Sequence, residues 1–178
     1  ECATTAASFM WFVSIGHRCC CTGGIWRSIC WQGLWLHYQE CKKIVFSVSI
    51  DGATKSTYEC IRKGGSWERL NQSLRLLSKL RKKGAVSEVQ VNTVVQRENY
   101  KELGQIADLT EYYGFDVLRI TKLLDNHIYS RSEYCCRAMF DENGKIEQEL
   151  LDELKKVKDR EIISSCPEGN VLDKFMNN

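Results

Sequence analysis

Apolar and polar positions follow regular periods between residues 43 and 124, and this part of the chain predicts an α/β fold. Three stretches, 43–50, 88–96 and 116–124, are rich in β-branched residues and predict strands. The intervening sequence predicts a short helix over 54–62 and longer helices over 67–83 and 100–113. Strands separated by crossovers of this length are expected to be parallel neighbours in one sheet.

Capping residues set the expected helix ends. Ser66 is a good N-cap for the helix over 67–83, which Gly84 ends. Asn99, with Glu102 three residues later, predicts an N-cap with a capping-box-like start for the helix over 100–113. Gly114 is expected to close that helix.

Polar side chains recur on one face of all three predicted strands. Because successive side chains point to opposite faces, Ser47, Ser49 and Asp51 oppose an apolar face, and the same holds for Asn92 and Arg119. This pattern favours a closed or half-closed barrel that lines a ligand cavity near the carboxyl ends of its strands. Alternatively, these polar side chains make buried structural hydrogen bonds, or this face of the sheet is exposed to solvent.

The flanking regions differ from this regular part, so we divide the chain at 1–42, 43–124 and 125–178. The first segment holds six of the ten cysteines and four of the five tryptophans, and it suggests only one possible strand, over 9–15. The last segment predicts a polar loop and one amphipathic helix over 145–157, with Leu150 and Leu154 in its apolar stripe. We expect this helix to pack on the open edge of the barrel.

Net charge and the lengths of the apolar runs limit the kinds of partner that the chain is expected to bind. The 178 residues carry a net charge of +2, which predicts no nucleic-acid partner, and no apolar run is long enough to predict a membrane-spanning helix or membrane association. The chain begins with Glu1 and lacks the pattern of a signal peptide. We therefore expect a soluble, cytoplasmic piece of a longer protein.

Two stretches of the regular part resemble a known family. VSIDGATKSTYECIRKGGSWERL, residues 48–70, is similar to the segment around the fourth strand of radical S-adenosylmethionine (SAM) enzymes, in the branch that often carries a SPASM or twitch extension. NTVVQRENYKELGQIADLTEYYGFDVLRIT, residues 92–121, resembles that family's fifth strand, helix and sixth strand. The resemblance implies the second half of a partial (β/α)₆ barrel, followed by a C-terminal helical extension.

The resemblance also implies cofactors and a site. Members of the family bind SAM on a [4Fe–4S] cluster. The reduced cluster cleaves SAM to a 5′-deoxyadenosyl radical, which abstracts a hydrogen atom from a peptide or small-molecule substrate. By position, Ser49 and Asp51 would face the ribose or methionine end of SAM, and Gly52 would let the chain turn tightly beside it. Asn92 would bond the ribose or carboxylate, and the backbone from Arg119 to Thr121 would meet the adenine.

The cysteines depart from the family pattern. The cluster motif C-x-x-x-C-x-x-C is absent, since Cys19, Cys20 and Cys21 are adjacent and the next cysteine is Cys30. We therefore expect this chain alone to be unable to cleave SAM, and Cys135, Cys136 and Cys166 are too few for an auxiliary cluster. The alternative function is a non-catalytic or degenerate α/β fragment, or a small binding module, without SAM chemistry.

Two further features have open interpretations. The Cys- and Trp-rich start could bind zinc or iron, form ordinary buried structure, or be an out-of-frame remnant fused ahead of Lys43. His127 could act as an acid or base at a barrel mouth or lie solvated in a loop.

Overall fold

The structure, a computed structural model, describes residues 12–15, 44–125, 129–141 and 143–164. Its four-stranded sheet consists, in spatial order, of β1 (Phe12–Ile15), β2 (Ile44–Ser49), β3 (Glu88–Val95) and β4 (Val117–Lys122). The three predicted strands β2, β3 and β4 are parallel neighbours, which confirms the α/β prediction. The rest of the Cys-rich start, His127 and Cys166 lie outside the described residues.

Helices connect the parallel strands and follow the last one. They are α1 (Lys55–Ile61), α2 (Trp67–Lys82), a 3₁₀ helix (Tyr100–Glu102), α3 (Leu103–Tyr112), α4 (Arg131–Arg137), α5 (Gln148–Val157) and α6 (Glu161–Ser164). The ends of the helices between the strands lie within one or two residues of the predicted ends, except that α3 begins at Leu103 instead of Tyr100. That accuracy follows from the strong apolar periodicity of these segments.

Helix α2 shows how local sequence fixes an element. The Ser66 hydroxyl accepts a hydrogen bond from the backbone N–H of Arg69, at 3.3 Å, and so satisfies one free donor of the first turn. Gly84, with φ of 71°, ends the helix in the left-handed region that glycine adopts without strain. The predicted cap and stop are confirmed.

One core lies between the sheet and the helices. The apolar face of the sheet is buried, and its side chains pack in one cluster with those of the helices. Within that cluster, β2 and the residue after it contribute Ile44, Phe46, Val48 and Ile50, β3 contributes Val89, Val91 and Val95, and β4 contributes Leu118 and Ile120. Leu70, Leu74 and Leu77 supply the stripe of α2. The polar positions are consequently left on the opposite face.

The predicted capping of the third helix is wrong. Asn99 makes no side-chain capping bond, and its amide instead donates to the backbone carbonyls of Asp51, at 3.1 Å, and Val94, at 2.9 Å. Its Oδ1 accepts from Gln96 N at 2.9 Å. Asn99 is fully buried, and tertiary hydrogen bonds outcompete the cap because they satisfy backbone groups that would otherwise be buried unpaired.

The C-terminal segment also differs from the prediction. It contains three helices among the described residues instead of one, and α4 begins with a complete capping box between Ser130 and Glu133. The amphipathic stripe of α5 is confirmed, since Leu150 and Leu154 are fully buried. However, α5 packs on α3 and the 3₁₀ helix, not on an open sheet edge.

Strand β1 runs antiparallel to β2, with Phe12 paired to Ser47 and Ile15 paired to Ile44. A barrel continued upstream of β2 would require a parallel strand at this edge. The prediction of parallel neighbours therefore holds for β2, β3 and β4, whereas β1, for which no direction was predicted, is antiparallel.

Candidate functional site

Ser49, Asn92 and Arg119 lie side by side in one row across the sheet. The β2–β3 register pairs Ser49 with Asn92, and the β3–β4 register pairs Asn92 with Arg119. Paired residues of parallel strands project from the same face, and neighbouring strands lie about 4.8 Å apart. A hydroxyl, an amide and a guanidinium therefore follow one another across the face of the sheet, from the last residue of β2 to the middle of β3 and β4.

All three residues of the row are half-buried. The Asn92 amide donates to the Ser47 hydroxyl, one pair further back on the same face. Among the described residues, the Ser49 hydroxyl has no hydrogen-bond partner. The row thus offers both donors and acceptors, which suits hydroxyl and carboxylate groups of a small ligand.

Thr121 lies two residues beyond Arg119 on the same face of β4, and it is half-buried. Its hydroxyl donates to the carbonyl of Thr93 at 3.3 Å. The structure therefore places this predicted site residue beside the row, with its side chain engaged by the neighbouring strand.

Asp51 lies outside the row, with only 4% of its surface exposed. One carboxylate oxygen accepts from Arg62 Nε at 2.7 Å, and the other accepts from the backbone N–H of Val94 at 2.8 Å. These bonds connect the end of β2 to both α1 and β3. Asp51 is thus held as a structural link next to the row.

Gly52 turns toward a helix and not toward an open cleft. A Cβ at this position would lie 2.6 Å from the backbone nitrogen of Tyr58 and 3.0 Å from the carbonyl carbon of Thr57. Only glycine therefore lets α1 approach the end of β2 this closely. Beneath it, burial raises the pKa of the Tyr58 hydroxyl above its ordinary value of 10.0.

A cluster around Glu102, which the sequence analysis missed, anchors the loop after β2. Its carboxylate accepts from the backbone N–H of Ala53 at 2.7 Å, from the Thr54 hydroxyl at 3.1 Å and from the Thr57 hydroxyl at 2.5 Å. Thr54 is also the N-cap of α1. The only signal in the sequence was the acidic residue itself, which the capping-box pattern had assigned to its own helix.

The described residues hold no group of three or more His, Cys, Asp or Glu side chains arranged to bind a metal ion. Cys60 lies on α1, whereas Cys135 and Cys136 lie on α4, and all three are exposed free thiols. This donor set does not fit a [4Fe–4S] cluster, which requires several cysteines converging on one point.

No protein-family model matches the chain, and a search of curated proteins finds no significant match. The fold of the described residues is a mixed α/β arrangement with a three-stranded parallel sheet, an antiparallel edge strand and several helices. None of the helices in this part of the chain has the length and apolar character needed to cross a bilayer.

Proposed function

We propose that the chain is the SAM-binding part of a radical SAM enzyme, corresponding to the second half of a partial (β/α)₆ barrel. The observation that carries the proposal is the row of Ser49, Asn92 and Arg119 on one face of three parallel strands. The row begins at Ser49, the last residue of β2, and ligands of parallel α/β folds bind at the carboxyl ends of the strands. The sequence resemblance of residues 48–70 and 92–121 supports the same assignment.

The chemistry of the row fits parts of SAM. The Ser49 hydroxyl and the Asn92 amide suit the ribose hydroxyls, and the Arg119 guanidinium suits the carboxylate of the methionine moiety. This assignment moves the carboxylate contact from Asn92 to Arg119, because the Asn92 amide already donates to Ser47. Asp51, Gly52 and Thr121 would shape the site through the backbone they hold.

The proposal assigns this chain SAM binding alone. Since the described cysteines do not fit a cluster, radical modification of a peptide or small-molecule substrate would belong to an intact protein whose cluster ligands lie elsewhere. The residues of the row would bind and orient SAM and exclude water from it.

Titration of the purified chain with SAM, adenosine and methionine, followed by calorimetry, tests the proposal. We expect saturable binding of SAM, and we expect Asn92→Ala and Ser49→Ala each to weaken it roughly 2- to 10-fold, the effect of one hydrogen bond. Arg119→Ala should weaken SAM more than adenosine, because adenosine lacks the carboxylate. The exposed Arg75 on α2 provides the control variant Arg75→Ala.

Two results would contradict the proposal. One is the absence of SAM binding by the folded chain at millimolar ligand, and the other is unchanged affinity in all three row variants. Either result favours the alternative, an α/β fragment or small binding module whose polar row only satisfies hydrogen bonds within the sheet.

A further inference from the structure

A cavity of about 470 Å³ lies beyond the carboxyl end of β4. Lys122 and Asp125 line one side of it, and α4 lines a second side through Arg131, Tyr134 and Cys135. The third side is the turn between Phe140 and Ile146, two residues joined by an isolated β-bridge. Its volume lies within the range of small-molecule sites, about 300–1,000 Å³.

The charged side chains of the cavity divide into two kinds. Arg131 lies 3.6 Å from Asp125, and Glu147 forms an ion pair of 2.5 Å with Arg97. The cavity residues Lys122 and Asp141, in contrast, form no ion pair with any described residue. Within the described part of the chain, the cavity therefore has one cation and one anion without an ion-pair partner.

Asp141 is held in place without being neutralised. Its Oδ1 accepts from the backbone N–H groups of Asn143, at 2.9 Å, and Lys145, at 2.7 Å. These bonds fix the carboxylate at the start of the turn and leave its charge without a cationic partner among the described residues. Lys122 is exposed at the last position of β4.

Between these charges the cavity presents apolar surface. Phe140 is half-buried and Ala138 is buried, and both line the cavity together with Tyr134. The Tyr134 hydroxyl lies 3.4 Å from the carbonyl of Leu123. Its ring is therefore anchored to the chain just after β4, where it gives the cavity a stable aromatic wall.

We propose that this cavity binds a zwitterion with an apolar side chain, that is, a free amino acid or a short peptide. Lys122 would bind the carboxylate, Asp141 would bind the ammonium group, and Phe140 and Tyr134 would contact the apolar side chain. A ligand carrying a single charge would leave one of the two protein charges uncompensated. The inference does not depend on SAM binding, because none of the row residues lines this cavity.

The test compares ligands that differ by one group, using calorimetry or NMR shift mapping on the full chain. The ligands are L-phenylalanine, N-acetyl-phenylalanine, phenylalaninamide and glycine, with alanyl-phenylalanine as the peptide arm. We expect phenylalanine or the dipeptide to bind about tenfold more tightly than either blocked analogue, the effect of one charge-assisted hydrogen bond. Glycine should bind most weakly because it lacks the apolar side chain. Tighter binding of phenylalanine identifies the ligand as a free amino acid, and tighter binding of alanyl-phenylalanine identifies it as a short peptide.

Two variants test the role of each charge. Lys122→Met should abolish the preference for phenylalanine over phenylalaninamide, and Asp141→Asn should abolish the preference over N-acetyl-phenylalanine. Asparagine keeps the oxygen that accepts from the turn, so the turn should persist. Lys79→Met and Asp159→Asn, at exposed positions outside the cavity, are the matched controls.

The outcomes separate clearly. Loss of one preference in each variant, with both controls unchanged, supports the proposal. Absence of saturable binding at about 10 mM ligand overturns it. Equal affinity for the blocked and unblocked ligands, or preferences that persist in both variants, also overturns it.

Discussion

Asp51 and Arg62 form an ion pair that fixes the chain where it leaves β2, with Arg62 Nη2 2.7 Å from Asp51 Oδ2. The same carboxylate accepts from the backbone of Val94 on the neighbouring strand. One side chain therefore joins the end of β2, the end of α1 and the carboxyl-terminal part of β3. The position of the predicted ligand face depends on this link.

We expect Asp51→Ala to lower the free energy of unfolding by about 2–3 kcal/mol, because it leaves the Val94 N–H and the Arg62 guanidinium without their partner. This is below the value for a fully buried pair, since the Arg62 side chain is 29% exposed. Asp51→Asn should have a smaller effect. Urea denaturation measures both, with exposed Asp159→Ala as the control; equal midpoints for Asp51→Ala and the control would argue against the link.

Gly52 and Gly104 provide a matched comparison. Gly52→Ala would place a Cβ 2.6 Å from Tyr58 N, so α1 must shift and we expect a loss of about 1–3 kcal/mol. Gly104 lies in the first turn of α3, and apart from its chain neighbours and its own helix backbone no atom lies within 4 Å of the same Cβ position. Gly104→Ala should therefore raise stability by roughly 0.5–1 kcal/mol. Thermal denaturation measures both changes, and opposite signs are the required result.

The hydrogen bond between Glu102 and Thr57 spans 45 residues of sequence and can be isolated by a double-mutant cycle. We expect Glu102→Ala and Thr57→Ala to show a coupling energy of about 1–2 kcal/mol, because each variant removes the same contact. Exposed Glu149 on α5 supplies the control pair with Thr57, which should be additive within about 0.5 kcal/mol. Additive behaviour of the Glu102 pair as well would show that the contact contributes little.

The stability of the capping box at the start of α4, the helix that lines one side of the cavity, should depend on pH. Hydrogen bonds from Ser130 hold the pKa of Glu133 below its ordinary value of 4.5. A carboxyl with a lowered folded pKa stabilises the helix above its unfolded pKa, and this stabilisation is lost as the pH falls through the folded pKa. The capping box should therefore open in acid.

An NMR titration of the Glu133 carboxyl carbon measures this effect, together with amide exchange in α4. Ser130→Ala should move the Glu133 pKa back toward its ordinary value and speed exchange at neutral pH. Ser73→Ala, on α2, is the control. An unchanged Glu133 titration in Ser130→Ala would contradict the role of the capping box.

The sequence predicted the strands and the row because both depend on a period of two. Once 43–50, 88–96 and 116–124 are taken as adjacent parallel strands, Ser49, Asn92 and Arg119 must share a face. Their alignment in one row depends on register, which the buried face opposite them fixes.

The contacts of Asn99, Glu102 and Gly52 could not be predicted in the same way. The first two residues match a local capping pattern, yet both bond to the loop after β2, which is nearly 50 residues away in sequence. Local sequence patterns carry no information about such long-range hydrogen bonds. Here the tertiary contacts satisfy more backbone groups than a helix cap would have. Gly52 was expected to let the chain turn tightly beside a ligand, whereas its missing side chain makes room for α1.

The antiparallel β1 determines how this chain could join a complementary polypeptide. Each edge of a strand hydrogen-bonds a single neighbour, and β1 already occupies that edge of β2 along four residue pairs. If the chain is half of a barrel, as proposed, a separately expressed other half could therefore complement it by strand addition only after displacing β1. Reassembly in trans would accordingly proceed faster with a chain that begins at Ile44 than with the full 178 residues.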